Sequence, residues 1–311
     1  MDDKVYRALA AIPRFAGVAR EAVARERLGG LTNLVFKVTV GGERYCLRLP
    51  GEGTDGYIDR AVEAHNARVA AEAGVSPAVH YFDDAGVMLA DYVDGCETMT
   101  PESFHRVPGA PARAARALRR MHSCGLEFRF HFELFKMIDE YRAVLARLGA
   151  SLPDGYQEVL DEAGAVREAI DRNPNPLAPC HCDPLCENFL DDGERMWIVD
   201  WEYSGMNDPI WDLGDLSVEA GFGPDQDHEM MTAYCGGEVP DAVFGRMVIY
   251  KAMCDLLWTL WGLIQHANDN PAEDFWAYSI NRYQRCKSLM GSAEFARHLA
   301  AVRDGACLQQ M

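Results

Sequence analysis

The chain is poor in positive charge: 30 lysines and arginines stand against 48 aspartates and glutamates in 311 residues, a formal net charge of −18. With no basic stripe to neutralise a phosphate backbone, the charge argues against a nucleic-acid partner, and the diffuse negative field favours a cationic small molecule. Long apolar runs are also lacking. The most apolar stretch, Ala252 to Ile264, carries Asp255 and is too short to cross a bilayer. The chain opens Met1-Asp2-Asp3-Lys4, an acidic amphipathic stretch without a basic segment and apolar core, so no secretory leader is expected. Cysteines at framework spacing are missing as well. Cys46, Cys96, Cys124, Cys254 and Cys286 are scattered through strand-like and helix-like segments and read as reduced, buried thiols. There is no internal repeat and no low-complexity tract. The expectation is a soluble cytoplasmic protein with no membrane partner, long enough for two lobes and a sizeable core.

What is present changes character once along the chain. Lys4 to Ile12 has helical periodicity ended by Pro13, and strand-like segments follow at Ala19 to Arg27, Leu34 to Val40 and Arg44 to Leu49, punctuated by Gly29-Gly30 and Gly41-Gly42. A helix is predicted from Ile58 to Ala73, then strands at Ala78 to Phe82 and Val87 to Tyr92. After Asp94-Gly95 helices dominate. They are predicted at Ala112 to His122, Phe132 to Leu148, Gln157 to Ile170, Asp225 to Tyr234, Ala242 to Gln265, Glu273 to Met290 and Ala293 to Val302. A small β-rich lobe over residues 1–92 thus precedes a larger, mainly helical lobe over 93–311.

One segment interrupts the helices and carries the chemistry. It reads PCHCDPLCENFL, then after six residues WIVDWEYSGMNDPIWD. His181 to Asn188 contains Pro184 and no regular apolar period, so it is a loop; Asn188-Phe189-Leu190 starts a strand, Asp191-Asp192-Gly193-Glu194 is a turn, and Met196 to Val199 runs back. Such a hairpin brings Asn188 beside Asp200. Phosphoryl transfer needs a carboxylate to orient the acceptor hydroxyl and oxygen ligands to hold Mg²⁺ against the phosphates. Asp183 suits the first task, and Asn188 and Asp200 suit the second. His181 fits a brace for the loop better than a proton carrier. A zinc site built on Cys180, Cys182 and Cys186 around His181 lacks a second cysteine pair.

These motifs resemble the catalytic and metal motifs of the aminoglycoside phosphotransferase and choline kinase superfamily, over about Gly29 to Ser288. In Asp200-Trp201-Glu202-Tyr203-Ser204 and Trp211-Asp212-Leu213-Gly214-Asp215 the likeness is nearest to bacterial choline kinases. The resemblance implies an α+β, bilobal, protein-kinase-like fold and an ATP- and Mg²⁺-dependent kinase of choline or a similar small amino alcohol. Gly29-Gly30-Leu31-Thr32-Asn33 resembles that family's phosphate loop, with Thr32 and Asn33 as its contacts. Arg48 stands where kinases place the lysine that holds the phosphates, and its planar fork can bind two phosphate oxygens. Glu63 is the expected partner of Arg48, with Glu72 as competitor. Asp91, Tyr92 and Val93 are expected at the interlobe hinge, giving backbone contacts to adenine. Cys182 replaces the catalytic-loop arginine of protein kinases, so control by a phosphorylated loop is not expected.

On the acceptor side, Trp258 and Trp261 are neighbours on a helix, and Asp255 lies one turn before Trp258. A quaternary ammonium cannot donate hydrogen bonds and is recognised by aromatic faces with nearby carboxylates. Tryptophans at this spacing are also ordinary core residues. The resemblance places the pair in the choline pocket, adds Glu219 and either Phe275 or Trp276, and makes Asp212 and Asp215 structural. Ethanolamine, thiamine, homoserine or an aminoglycoside are the competing acceptors, although the chain lacks the strongly acidic C-terminal end expected of an aminoglycoside kinase. A catalytically inactive nucleotide-binding regulator is the competing class, and the joint presence of Arg48, Asp183, Asn188 and Asp200 argues against it.

Overall fold

The computed structural model describes residues 2–29, 33–51 and 58–305. Helix α1 (Asp2–Ala11) and the turn after it bring Val5, Leu9, Ile12 and Phe15 onto a five-stranded sheet. The sheet contains β1 (Val23–Gly29), β2 (Leu34–Val40), β3 (Glu43–Leu49), β4 (Val79–Phe82) and β5 (Met88–Asp91) in the order β1-β2-β3-β5-β4, antiparallel throughout. Alternation puts Phe36 and Val38 of β2 and Tyr45, Leu47 and Leu49 of β3 in one core with Leu89. The tight β2–β3 turn rests on Gly41 and Gly42, both at positive φ (60° and 87°).

Helix α2 (Arg60–Glu72) is inserted between β3 and β4. Asp59 caps it, accepting the amides of Ala61 and Val62. Its Ala64, Ala67, Val69 and Ala70 pack into a second, larger core formed by the helical half of the chain. The two halves are therefore tied together through α2, whose Arg60 and Glu63 are also buried.

The second half contains β6 (Glu97–Thr98), α3 (Pro101–Arg106), α4 (Ala110–His122), α5 (Leu134–Leu148), α6 (Tyr156–Arg172), β7 (Ala178–Cys180), β8 (Phe189–Asp191), β9 (Met196–Ile198), β10 (Gly205–Asn207), α7 (Ile210–Glu219), α8 (Pro224–Cys235), α9 (Asp241–Ala267), α10 (Phe275–Met290) and α11 (Ala293–Asp304). This is the bilobal α+β kinase-like architecture. The apolar stretch at Ala252 to Ile264 is part of a 27-residue helix that is long and apolar enough to cross a membrane, but 83% of its most apolar window is buried inside the chain. Its hydrophobicity is that of a core helix, with α5, α7, α10 and α11 packed around it. Glycine permits the closest of these approaches: a Cβ at Gly214 would lie 2.8 Å from Tyr250 Cβ, and one at Gly262 would lie 2.3 Å from Ser279 Oγ.

The differences from the predicted elements are local. Residues 20–22 form a 3₁₀ turn, so β1 begins at Val23 and not at Ala19. Helix α10 starts at Phe275, because Asp274 caps it by accepting the Ala277 amide. Helix α7 went unpredicted: its acids Asp212, Asp215 and Glu219 are spaced along one side of a helix, but they stand out in the sequence as motif residues, and Ile210 to Ser217 are all buried. The short strands β6, β7 and β10 and the six-residue helix α3 also went unpredicted.

Candidate active site

The predicted hairpin is present. Phe189 pairs with Ile198, Leu190 with Trp197 and Asp191 with Met196, and Asp192 closes the turn by accepting the amides of Glu194 and Arg195. Beyond the paired strands, Val199 N donates to Asn188 O at 2.9 Å, which brings the backbones of Asn188 and Asp200 to the same end. Asn188 Nδ2 donates to Asp183 O at 3.1 Å. Any metal held by Asn188 must therefore be taken by its Oδ1.

Two residues of this centre have left-handed backbones, Cys182 at φ 67° and Asp200 at φ 68°. For non-glycine residues that conformation costs about 1–3 kcal/mol each and persists only where the surroundings enforce it. At Cys182 the enforcement is visible. Asp212 of α7 accepts the amides of His181 (2.7 Å) and Cys182 (2.8 Å), and Trp211 Nε1 donates to Cys182 O at 3.1 Å. His122 adds a third contact to Asp212 at 3.0 Å.

His181 is fully buried, with Nε2 2.9 Å from Val199 O and its ring 4.8 Å from that of Trp201. Burial pushes its pKa down, so the imidazole is neutral, and the Val199 carbonyl fixes the proton on Nε2. This geometry suits a brace between the loop and the second strand. Asp183 is different. Burial, and then the negative charges of Glu219, Asp200 and Glu202, push its carboxyl well above the usual range, with Arg282 opposing. It is thus a stronger base than a surface aspartate.

On the N-terminal side Arg48 is buried on β3 and ion-paired with Glu63, and its guanidinium also reaches Asp200 Oδ1 (3.4 Å) and Gly86 O (3.5 Å). Glu63 is therefore the partner, while Glu72 lies at the far end of α2. Arg60 Nη1 lies 2.7 Å from Glu63 and 3.4 Å from Glu202, and Asn33 Nδ2 donates to Glu202 at 3.3 Å. Sequence reasoning left Arg60 and Glu202 without a role, although Glu202 lies inside the quoted motif. Carboxylate oxygens of Glu63, Asp200 and Glu202 lie within 4.8 Å of one another. Burial followed by the charges of Asp200 and Glu63 pushes Glu202 up to about 7. This crowding of hard oxygen donors is an excess of negative charge that a divalent cation would relieve, and it fits Mg²⁺. Thr32, the other phosphate-loop residue expected, lies outside the described residues.

At the hinge, Asp91 ends β5 and turns its exposed carboxylate to His80 (2.5 Å). The Tyr92 ring lies under Lys37 Nζ at 4.6 Å, and Val93 is half-buried.

The residues expected on the acceptor side form an aromatic wall. Trp258 and Trp261 are 6.2 Å apart at 90°, Tyr203 is 5.7 Å from Trp258, and Phe275 and Tyr278 are 5.5 and 5.9 Å from Trp261. Phe275 faces the pair, whereas Trp276 is 44% exposed and packs on His266. The helix start at Phe275 sets that register and removes Trp276 from the wall. Asp255 does not add free negative charge beside Trp258: it is bound by Arg282 (3.2 Å) and Arg285 (2.6 Å). Glu219 is likewise ion-paired with Arg282. Tyr203, Tyr278 and both arginines were not foreseen: Tyr203 lies inside the quoted motif, but its place beside Trp258, like the pairings of Tyr278, Arg282 and Arg285, is made only by tertiary packing.

A fold of this kind with this site is that of a phosphotransferase, and the phosphotransferase enzyme family model matches residues 23–243, so the chain belongs to that family. It is 60% identical to a choline/ethanolamine kinase family protein from Mesorhizobium loti, whose crystal structure superposes with a TM-score of 0.89 over 98% of this chain and 100% of the other. Protein LicA of Haemophilus influenzae is 26% identical over 271 residues, covering 85% of this chain and 78% of the relative. A probable ethanolamine kinase of Arabidopsis thaliana is 25% identical over 292 residues, covering 83% and 77%. Within the family the chain stands with the choline/ethanolamine kinases, as an enzyme whose acceptor is an alcohol.

Proposed function

We propose that the chain is a cytoplasmic, ATP- and Mg²⁺-dependent kinase that phosphorylates the hydroxyl of choline or a closely similar amino alcohol. The observation that carries the acceptor class is the wall of Tyr203, Trp258, Trp261, Phe275 and Tyr278 beside the catalytic loop, since aromatic faces are what an alkylated ammonium can use. Residues 1–92 serve the nucleotide and residues 93–311 the acceptor. Arg48, held by Glu63, binds phosphate oxygens, and Asn33 with Thr32 covers them from the loop. The backbone of Asp91 to Val93 receives the adenine.

Asp200 and Asn188 would hold Mg²⁺, with Glu202 beside them, and the ion would supply positive charge against the phosphate oxygens. Asp183 orients the acceptor hydroxyl in line with the γ-phosphate and takes its proton, a task helped by its raised basicity. His181 keeps the loop in place. Positioning and charge neutralisation account for most of the rate gain.

ATP turnover with choline, ethanolamine, thiamine and an aminoglycoside tests the reading. The expected order puts choline or ethanolamine first, by kcat/KM, with thiamine and the aminoglycoside near background. Preferred turnover of either of the last two would overturn the acceptor, and no turnover with any would favour a nucleotide-binding regulator.

A further inference from the structure

The arginines of α10 do not neutralise every acid at the acceptor end. Glu219 is paired with Arg282, and Asp255 with Arg282 and Arg285, but Asp215 has no arginine or lysine partner among the described residues. Asp215 lies one turn before Glu219 on α7 and is fully buried. One carboxylate oxygen accepts the Cys254 thiol at 2.9 Å; the other has no hydrogen-bond partner among the described residues. A carboxylate oxygen of Asp215, one of Glu219 and the Cys254 sulfur lie within 4.8 Å of one another. Asp212, three residues earlier on the same helix, shows the contrast: its two oxygens receive two amides and a histidine. A buried carboxylate left without such donors requires a proton or a cation.

The charged and titratable groups around Asp215 are Glu219 on α7, Cys254 on α9, Arg282 on α10, and Asp183 and Cys182 on the catalytic loop, with Asp255 and Tyr278 beside Arg282. From α8, Asp227 is already tied to Lys251 and Ser217. Burial, then Glu219 and Asp183, push the Asp215 carboxyl well above the ordinary range, against weaker opposition from Cys254 and Arg282.

We propose that Asp215 is a specificity residue of the acceptor site, supplying the negative charge that selects a cationic alcohol over a neutral one and releasing its proton as that cation binds. This rests on the reading of the pocket as an amino-alcohol site. The balance is simple: a carboxylic acid and a free cation become a carboxylate beside a bound cation, and one proton goes to solvent. A neighbouring cation favours the ionised form, so the carboxyl is more acidic in the complex than in the free enzyme. Acceptor affinity therefore rises with pH below the free-enzyme value, by up to about tenfold per pH unit for one proton, and levels off above it. Choline has no ammonium proton, so this dependence belongs to the protein.

The test is calorimetric titration of the full chain with choline in buffers of different ionisation enthalpy, alongside KM for choline and ATP. Wild type should release part of a proton per choline bound, and Asp183→Asn should still do so. Asp215→Asn should release clearly less than wild type and raise the choline KM about tenfold or more while changing the ATP KM less than about twofold. Cys254→Ala removes the thiol donor and should move the rise in choline affinity to higher pH, which decides the matter if Asp215→Asn does not fold. Wild-type proton release and choline KM in Asp215→Asn, loss of all release in Asp183→Asn, or an unmoved pH dependence in Cys254→Ala would each overturn the proposal. A wild type that phosphorylates no amino alcohol overturns the acceptor reading itself; an active wild type matched by Asp215→Asn overturns only the role of Asp215.

Discussion

Asp212 accepts the backbone amide of Cys182 at 2.8 Å and so fixes a non-glycine residue at φ 67°, one position before Asp183. The same carboxylate takes the amide of His181. Without it three donors would lose their acceptor: the two amides and His122. Each unsatisfied buried donor costs about 1–3 kcal/mol. Asp212→Ala is therefore expected to lower the melting temperature and turnover together. Wild-type values of both would show that the loop holds its conformation unaided.

Glu63 is ion-paired with two buried arginines, Arg48 and Arg60. Removing one partner of a buried ion pair costs about 3–5 kcal/mol. Retained contacts of Arg48 with Asp200 and of Arg60 with Glu202 put Glu63→Ala at the lower end. Thermal melts should show that loss together with a raised ATP KM, whereas Glu72→Ala should stay within about 0.5 kcal/mol. Equal effects of the two would remove the Arg48–Glu63 pair from the nucleotide site.

For Asp200, the expected defect lies in metal use. Asp200→Ala should lose Mg²⁺-dependent nucleotide binding, read by titrating nucleotide with and without the ion. An unchanged metal requirement would assign the ion to other ligands.

On the aromatic wall, Trp258→Ala should raise the choline KM far more than the ATP KM. It should also cost about 3–5 kcal/mol as a buried tryptophan truncation. Trp276→Ala, at an exposed position, should change neither constant. If Trp258→Ala shifted both KM values equally, the tryptophans would be core and nothing more.

The catalytic hairpin was legible because turn residues and short apolar alternation are local signals, and they place Asn188 beside Asp200 with no further information. The β2–β3 hairpin was legible for the same reason. What could not be read depended on the packing of distant elements. Helix α7 is buried over Ile210 to Ser217, and the different partners that separate Asp212 from Asp215 come from other elements packed on it. The neutralisation of Asp255 by Arg282 and Arg285 is a contact between α9 and α10. The choice of Phe275 over Trp276 turns on one capping residue, Asp274.

Asp183→Ala tests the central claim most directly when nucleotide affinity and choline phosphorylation are measured on the same preparation. The expected result is a fall in turnover of about 10²–10⁴-fold or more with nucleotide affinity nearly unchanged. Retained turnover would contradict the account, because the acceptor's proton would then be leaving without Asp183.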